Sequence, residues 1–398
     1  MSTSPALRPA PAAADDPIGV YIHVPFCAHI CPYCDFTTYS GQERLIPRYV
    51  EAVIADLRQR GRSMARPRAE TIYLGGGTPS LLEPEQVGAI LDAVREVVDL
   101  ADDAEITLEA NPSSSEAGRF AGYRDVGVNR LSIGAQTFDR RGLRALGRLH
   151  EGHDTTQALA AARLAGFDNV SIDLIFGWPG QEKEQLLRDL DQVLSPSDDA
   201  LRPDHLSLYS LIVEPGTPMA DAVARGIMQI PDDDAAADLY ECAMSVLGSA
   251  GWLHYEVANW ARSANFQSRH NRIYWRNGAY LGVGAGAFGR LGSVRTMGHP
   301  LPVTYCSAVE SGSTPFSNEE QLPEEILRGE TMMLGLRLLT DGVSPQLFAE
   351  RHGVSLNDWF DTPLRTAIRN EMMEETEDGV RLTPHGLMLA NDVCGSFL

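Results

Sequence analysis

Six short apolar runs punctuate the first half of the chain, and a stretch with apolar residues at helical spacing follows each of them. The runs are IGVYIHVPF (18–26), TIYLGGG (71–77), EITLEAN (105–111), RLSIGAQ (130–136), NVSIDLIFG (169–177) and HLSLYSLIV (205–213). Between them lie amphipathic segments such as RYVEAVIADLRQRG, PEQVGAILDAVREVV and HDTTQALAAARLAG. Strands that alternate with helices predict parallel βαβ units. Six units fall short of the eight that close a barrel, so the pattern predicts an α/β fold, an open six-unit (β/α) barrel over residues 18–252. A flat doubly wound sheet is the alternative.

The second half reads differently. A long helix, DDDAAADLYECAMSVLGSAG, leads into HYEVANWA, after which periodicity fades. Residues 253–318 are rich in glycine, asparagine, arginine and aromatics and are expected to form a connecting segment. Helical patterns resume near residue 320, followed by a hairpin signal at EDGVRLT and a final helix, PHGLMLANDVCGSFL. Helices with a small wing predict a winged-helix-like α/β module over 319–398. The Pro/Ala-rich residues 1–17 read as a disordered tail.

Charge narrows the function. A net charge of −21 and an isoelectric point near 4.8 argue against a nucleic-acid backbone as partner. No signal-peptide pattern opens the chain and no apolar run spans a bilayer, so a cytoplasmic protein is expected, with membrane contact at most peripheral. The run Asp232-Asp233-Asp234 reads as a solvated helix start.

The candidate chemistry gathers at the strand ends. The strands run out into FCAHICPYC, GGGTPS, EANP, GAQ and DLIFG, which a parallel α/β fold collects on one rim. Of the six cysteines, Cys242, Cys306 and Cys394 stand alone and read as small buried apolar residues. Cys27, Cys31 and Cys34 lie together at spacings of four and three. Three thiolates suit a [4Fe-4S] cluster with one iron left open, since such cubes commonly take four. Zinc with His23 or His29 as fourth ligand, or incidental thiols, also match the spacing. GGGTPS (75–80) is either a close backbone approach to a ligand or a plain tight turn. Glu109, Gln136, Arg148 and Asp173 sit on or after later strands as candidate polar contacts.

CAHICPYC resembles the CxxxCxxC signature of the radical S-adenosylmethionine (SAM) superfamily, with Tyr33 as the aromatic before the last cysteine. The resemblance implies that Cys27, Cys31 and Cys34 hold the cluster and that its open iron binds SAM. It extends through GVYIHVPFCAHICPYCDF, YLGGGTPSLL, LEANP, RLSIGAQTFD, LGRLH and SIDLIFGWPGQ, which are similar to the oxygen-independent coproporphyrinogen III oxidase (HemN) family. Within that family the chain looks most like the HemW-type heme chaperones. By that likeness Tyr21, Gly76, Gly77, Thr78, Glu109, Gln136, Arg148 and Asp173 are the SAM-contacting positions.

Three features separate the branches. The decarboxylating enzymes carry a further cysteine where this chain has Phe36, and they have a longer N-terminal arm. SRHNRIYW (268–275) contains an HNxxY pattern typical of the HemW type, which implies a heme site near His270, Asn271 and Tyr274. One departure stands out: the usual G-x-G-A-H-[SG] reads GAGAFG here, with Phe288 in place of histidine. The resemblance thus implies a heme chaperone that delivers its cargo to a respiratory hemoprotein, with an electron-donor protein and a homodimer as further partners. The alternative is a radical enzyme, either an oxidative decarboxylase of coproporphyrinogen III or a diverged member such as a methyltransferase.

Overall fold

The computed structural model describes residues 16–398; most of the tail expected at 1–17 therefore lies outside the described residues. Six strands form the parallel core: β1 (Ile18–Val24), β2 (Arg68–Gly76), β3 (Asp99–Ala110), β4 (Arg130–Gln136), β5 (Val170–Phe176) and β6 (His205–Ser210). They pair in sequence order, each parallel to the next. A doubly wound sheet would reverse its order at a switch point. No reversal occurs, so the open barrel is the correct reading.

The crossovers are α1 (Ile46–Gly61), α2 (Pro84–Val97), two short helices (Ser114–Ala117 and Phe120–Asp125), α3 (Gly152–Leu164) and α4 (Lys183–Leu194). α5 (Asp233–Ser249) follows β6. Capping boxes start α2, α3 and α4, each satisfying two backbone N–H groups that a helix end would leave bare. Asp232 caps α5 by accepting from the Ala235 amide at 2.9 Å, so the first residue of the acidic run is a helix start. The strands are buried on both faces except at their ends, because helices cover the outer side and side chains fill the lumen.

Where the sequence predicts only a connecting segment, the structure has six short strands on both edges of the sheet. β7 (Leu253–Glu256) and β8 (Asn259–Ala261) form a hairpin against β6. α6 (Arg269–Trp275) follows, then β9 (Tyr280–Val283), which pairs in parallel with the outer edge of β1. β10 (Phe288–Leu291), β11 (Val294–Gly298) and β12 (Phe316–Gln321) continue outward, with α7 (Pro302–Glu310) between the last two. The result is one twelve-stranded sheet whose six central strands make the open barrel.

α6 is held at its N-terminus by the buried Glu105 carboxylate of β3, which accepts from the amides of Arg269 and His270, both at 3.0 Å. A carboxylate there satisfies bare N–H groups and complements the helix dipole. α7 packs on α1 through Asp56, a buried carboxylate that accepts from Arg60 and, at 2.7 Å, from the Tyr305 hydroxyl.

The C-terminal module has its own apolar core, with Met332, Leu336, Phe348, Phe360, Leu364 and Phe397 among its members. It comprises α8 (Glu324–Gly335), α9 (Pro345–His352), α10 (Leu356–Arg369) and a hairpin of β13 (Met373–Glu375) and β14 (Val380–Leu382). The expected final helix is two short ones, Pro384–Met388 and Ala390–Gly395, broken at Leu389. No helix among the described residues is long and apolar enough to cross a membrane.

Candidate functional site at the barrel mouth

After β1 the chain enters the cysteine loop. Its base is closed by two backbone bonds, Cys27 N to Tyr39 O at 3.0 Å and Tyr39 N to Pro25 O at 2.7 Å. Within it, the Cys34 amide reaches the Cys31 carbonyl at 3.1 Å. All three thiols are free and half-buried. Burial pushes the Cys27 and Cys34 thiols up, as an apolar site does to a group that must ionise.

A polar arc ties the loop to the neighbouring strand ends. The Thr78 hydroxyl contacts Cys27 Sγ at 3.5 Å and accepts from Asn111 Nδ2 at 3.2 Å. Arg148 donates to the Asn111 side chain at 2.5 Å and to the Gly134 carbonyl at 2.9 Å, and its other nitrogen lies 3.6 Å from Cys31 Sγ. Asn111 is therefore the link between Thr78 and Arg148. In the sequence it lies within EANP, two residues past Glu109, with nothing local to mark it as a contact.

The donor set fits a polynuclear cluster better than one metal ion. Among the described residues, no three histidine, cysteine or acidic side chains converge on one point. A cube binds its ligands at separate corners and asks for no such convergence. His23 is not spare either. Its Nδ1 is bonded to the Tyr21 hydroxyl at 2.8 Å and its Nε2 to the Thr37 carbonyl at 2.9 Å. The zinc alternative with His23 thus lacks its fourth ligand.

The glycine run serves packing. Gly77 sends its amide to the Val24 carbonyl at 2.9 Å, and a Cβ there would lie 2.6 Å from the Phe26 carbonyl oxygen. Gly76 has φ of +110° and sits against the His23 ring, which a Cβ would meet at 2.3 Å. The space left by these side chains is taken by β1 and its continuation, so the run seats the cysteine loop on the sheet; Gly76 also lines the cleft described below.

Glu109 accepts from the Tyr73 hydroxyl at 2.7 Å and the Gly76 amide at 2.9 Å. Burial pushes its carboxyl up to about 7, opposed by the Tyr73 bond. Asp173, two strands along on β5, accepts from Ser132 at 3.0 Å, and burial raises it too. Gln136 has φ of +66°, a left-handed conformation uncommon in a residue other than glycine and concentrated at functional sites. Tyr33 packs on a small apolar cluster of Leu146, Ile175 and Trp178 beneath the loop.

His270, Asn271 and Tyr274 fall on α6. The His270 ring is fully buried and both its nitrogens are engaged, Nδ1 with Thr71 Oγ1 at 2.6 Å and Nε2 with the Tyr274 hydroxyl at 2.7 Å. It stacks on Tyr73 with ring centroids 5.1 Å apart. Burial, with Arg130 nearby, holds its pKa down to about 3. This imidazole is a neutral bolt between strand and helix and has no nitrogen free for iron. Asn271 is half-buried.

Tyr274 instead lines a cleft of about 670 Å³ that opens from the barrel mouth toward the C-terminal module. One end is the rim itself, with Phe36, Gly76 and Glu109. Its walls come from β9, β10 and β11, with Tyr280, Phe288, Arg290 and Arg295, and from α8, with Glu330, Met333 and Leu334. The arginines and Glu330 are absent from the sequence-based candidates, because nothing local marks residues that meet only across a tertiary fold.

A parallel six-strand barrel with three free thiols on the loop after its first strand defines a radical SAM protein. Accordingly, the Radical SAM superfamily pattern matches residues 21–193, and that of the HemN C-terminal domain matches residues 322–389. The chain belongs to the HemW family. It is 37% identical over 379 residues to a Bacillus subtilis protein named heme chaperone HemW, covering 95% of this chain and 98% of that one. The protein of that name from Mycobacterium tuberculosis H37Rv is 39% identical over 337 residues, with 84% of each covered. The Escherichia coli K12 protein is 34% identical over 392 residues, 96% and 98%. The solved structure of E. coli coproporphyrinogen III oxidase (HemN), a radical SAM enzyme, superposes with a TM-score of 0.80 at 22% identity, covering 96% of this chain and 90% of that one, a likeness of fold.

Proposed function

We propose that this protein is a heme chaperone: it binds heme in the cleft beside the barrel mouth and passes it to a respiratory hemoprotein. Cys27, Cys31 and Cys34 would hold a [4Fe-4S] cluster, and SAM would bind beside it. When bound, the cluster supplies an open iron for the amino and carboxylate groups of SAM and a source of single electrons. The chain's own residues do the rest. Arg148, beside the cysteine loop, would offer its guanidinium to a carboxylate, Glu109 would offer its carboxylate to a cationic amine or to ribose hydroxyls, and Gln136 and Asp173 would present polar atoms from β4 and β5. Tyr33 closes the loop over its apolar base.

The observation that carries the reading is the cleft. Its volume lies within the usual range for cofactor-sized ligands, roughly 300–1,000 Å³, and it runs directly from the SAM rim to aromatic walls. Phe36, which is 67% exposed at the rim, offers no thiol where the decarboxylating enzymes carry a cysteine. Delivery to a respiratory acceptor, an electron-donor protein, a homodimer, a cytoplasmic location and at most peripheral membrane contact are parts of the same proposal.

The test is an anaerobic heme titration of the cluster-reconstituted protein, followed by absorbance. Saturation at about one heme per chain supports the chaperone. Absence of saturable binding, together with conversion of coproporphyrinogen III to a decarboxylated product, would replace it with the enzyme reading.

A further inference from the structure

The cleft holds carboxylates at its rim end, Asp35 and Glu109, and its two guanidiniums, Arg290 and Arg295, lie together away from them on neighbouring strands, facing Glu330 of α8, in a chain whose net charge is −21. Arg290 on β10 and Arg295 on β11 are directly opposite each other in the ladder, and Tyr280 of β9 is opposite Arg290. Two residues along β10 from Arg290, and so on the same face, is Phe288. Like charges directly opposite on a sheet are unfavourable and need compensation.

Arg295 has some. It is ion-paired to Glu330 of α8 and lies 3.8 Å from the half-exposed Glu320. Arg290 has no ion pair of its own: Glu330 acts on it only from beyond ion-pair reach, as does any other carboxylate among the described residues, and it is 9% exposed. Three of its five N–H donors go to the carbonyls of Gly292, Asn277 and Gly278. Burial, and then Arg351 and Arg295, hold its pKa below the ordinary guanidinium value. A buried cation without a counter-charge is costly unless something else supplies one.

We propose that Arg290 and Arg295 receive the two propionates of heme, with the porphyrin plane lying against Phe288 and Tyr280. This rests on the chaperone reading and assigns its contacts. Glu330 is the internal counter-ion that occupies Arg295 until a propionate displaces it. Paired carboxylates on an apolar plane match a site with two adjacent guanidiniums and aromatic walls, and guanidinium–carboxylate contacts are among the stronger hydrogen bonds in proteins. Phe288, half exposed in the cleft, then contributes a flat apolar surface where the family pattern has an imidazole. The propionates, and no histidine of α6, orient the ring.

The experiment compares heme with heme dimethyl ester on the cluster-reconstituted full chain, and adds R295Q and E330Q. Esterification leaves the ring and iron unchanged and removes both carboxylate charges. The wild type should bind the ester about tenfold or more weakly, equivalent to about 1.4 kcal/mol. R295Q should weaken heme and leave the ester unchanged, whereas E330Q should tighten heme alone. Equal affinity for heme and ester in the wild type overturns the assignment and leaves the chaperone standing. So does an R295Q that weakens both ligands equally. If heme itself shows no saturable binding, the chaperone reading fails and takes this one with it. Should R295Q fail to fold, the wild-type comparison decides alone.

Discussion

Replacing His270 with alanine separates two readings of the HNxxY segment. The ring is wholly buried, so the change opens a cavity and removes two hydrogen bonds at 2.6 and 2.7 Å. Thr71 is also wholly buried, and leaving its hydroxyl unpaired costs about 2 kcal/mol. Tyr274 borders the cleft and recovers water, so its loss is nearer 1 kcal/mol. The emptied ring volume adds about 1–2 kcal/mol. Together these predict about 4–5 kcal/mol of lost stability, a large share of a typical folding free energy. Anaerobic urea unfolding followed by circular dichroism measures it, with His270→Gln, which keeps part of the bonding, expected to lose about half as much. A His270→Ala protein with an unchanged urea midpoint and no heme absorbance would refute the reasoning. The imidazole would then be an iron ligand, and the bolt described above would carry no load.

Other expectations follow from the same geometry. Stability should fall steeply with acid below about pH 4.5. His150 and His254 are held near 4, His270 near 3 and His205 well below its ordinary value, all chiefly by burial. Their neutral forms stabilise the fold above the unfolded pKa of 6.5, and this contribution is lost as pH falls, by up to about 1.4 kcal/mol per pH unit for each histidine. Glu109 and Glu256, raised to about 7, and Asp189, raised to about 6, act oppositely. Their stability is present below the unfolded carboxyl pKa and fades as pH rises, so the two glutamates offset the histidines between pH 4.5 and 6.5 and Asp189 between about 3.8 and 6. A urea midpoint that stays level from pH 4.5 to 3 would contradict this account. Glu109→Gln should stabilise the SAM-free protein at pH 8 by roughly 2 kcal/mol and weaken SAM binding about tenfold by calorimetry, while wild-type SAM affinity should drop below pH 7 as the carboxylate protonates. Gly77→Ala should cost roughly 2–4 kcal/mol, because the atoms its Cβ meets are backbone and cannot turn aside; iron content after reconstitution would report the displaced cysteine loop. Serine at Cys27, Cys31 and Cys34 should abolish bound iron and sulfide.

The parallel half of the fold is legible because five of its six strands run to seven residues or more, all carry apolar runs, and helices follow them, three of these with a capping box. The strands from β7 to β12 are three to six residues long, too short for a periodic pattern to rise above glycine-rich surroundings. They hold together because they extend an existing sheet, which is a tertiary fact. The same division runs through the site. Cys27, Cys31 and Cys34 announce themselves by spacing. Thr78 and Arg148 follow strand ends, and the structure brings them to the cysteine loop through Asn111. His270 carries a motif whose chemistry, in the fold, is turned inward to Thr71 and Tyr274. Arg290, Arg295 and Glu330 meet only when β10, β11 and α8 come together.

The seam between β1 and β9 has a consequence in time. β1 is the first strand of the barrel to be synthesised, yet the partner for its outer edge, which pairs Gly19 with Tyr280, arrives about 260 residues later. At a translation rate of 5–20 residues per second, that is an interval of roughly 13 to 50 seconds. Throughout it, one side of the strand that bears the cysteine loop is unpaired. An open strand edge is a template for wrong partners, so a ribosome that stalls before residue 280 leaves the chain at its most vulnerable. The loop that is to carry the cluster hangs from a half-finished sheet until the last third of the protein emerges.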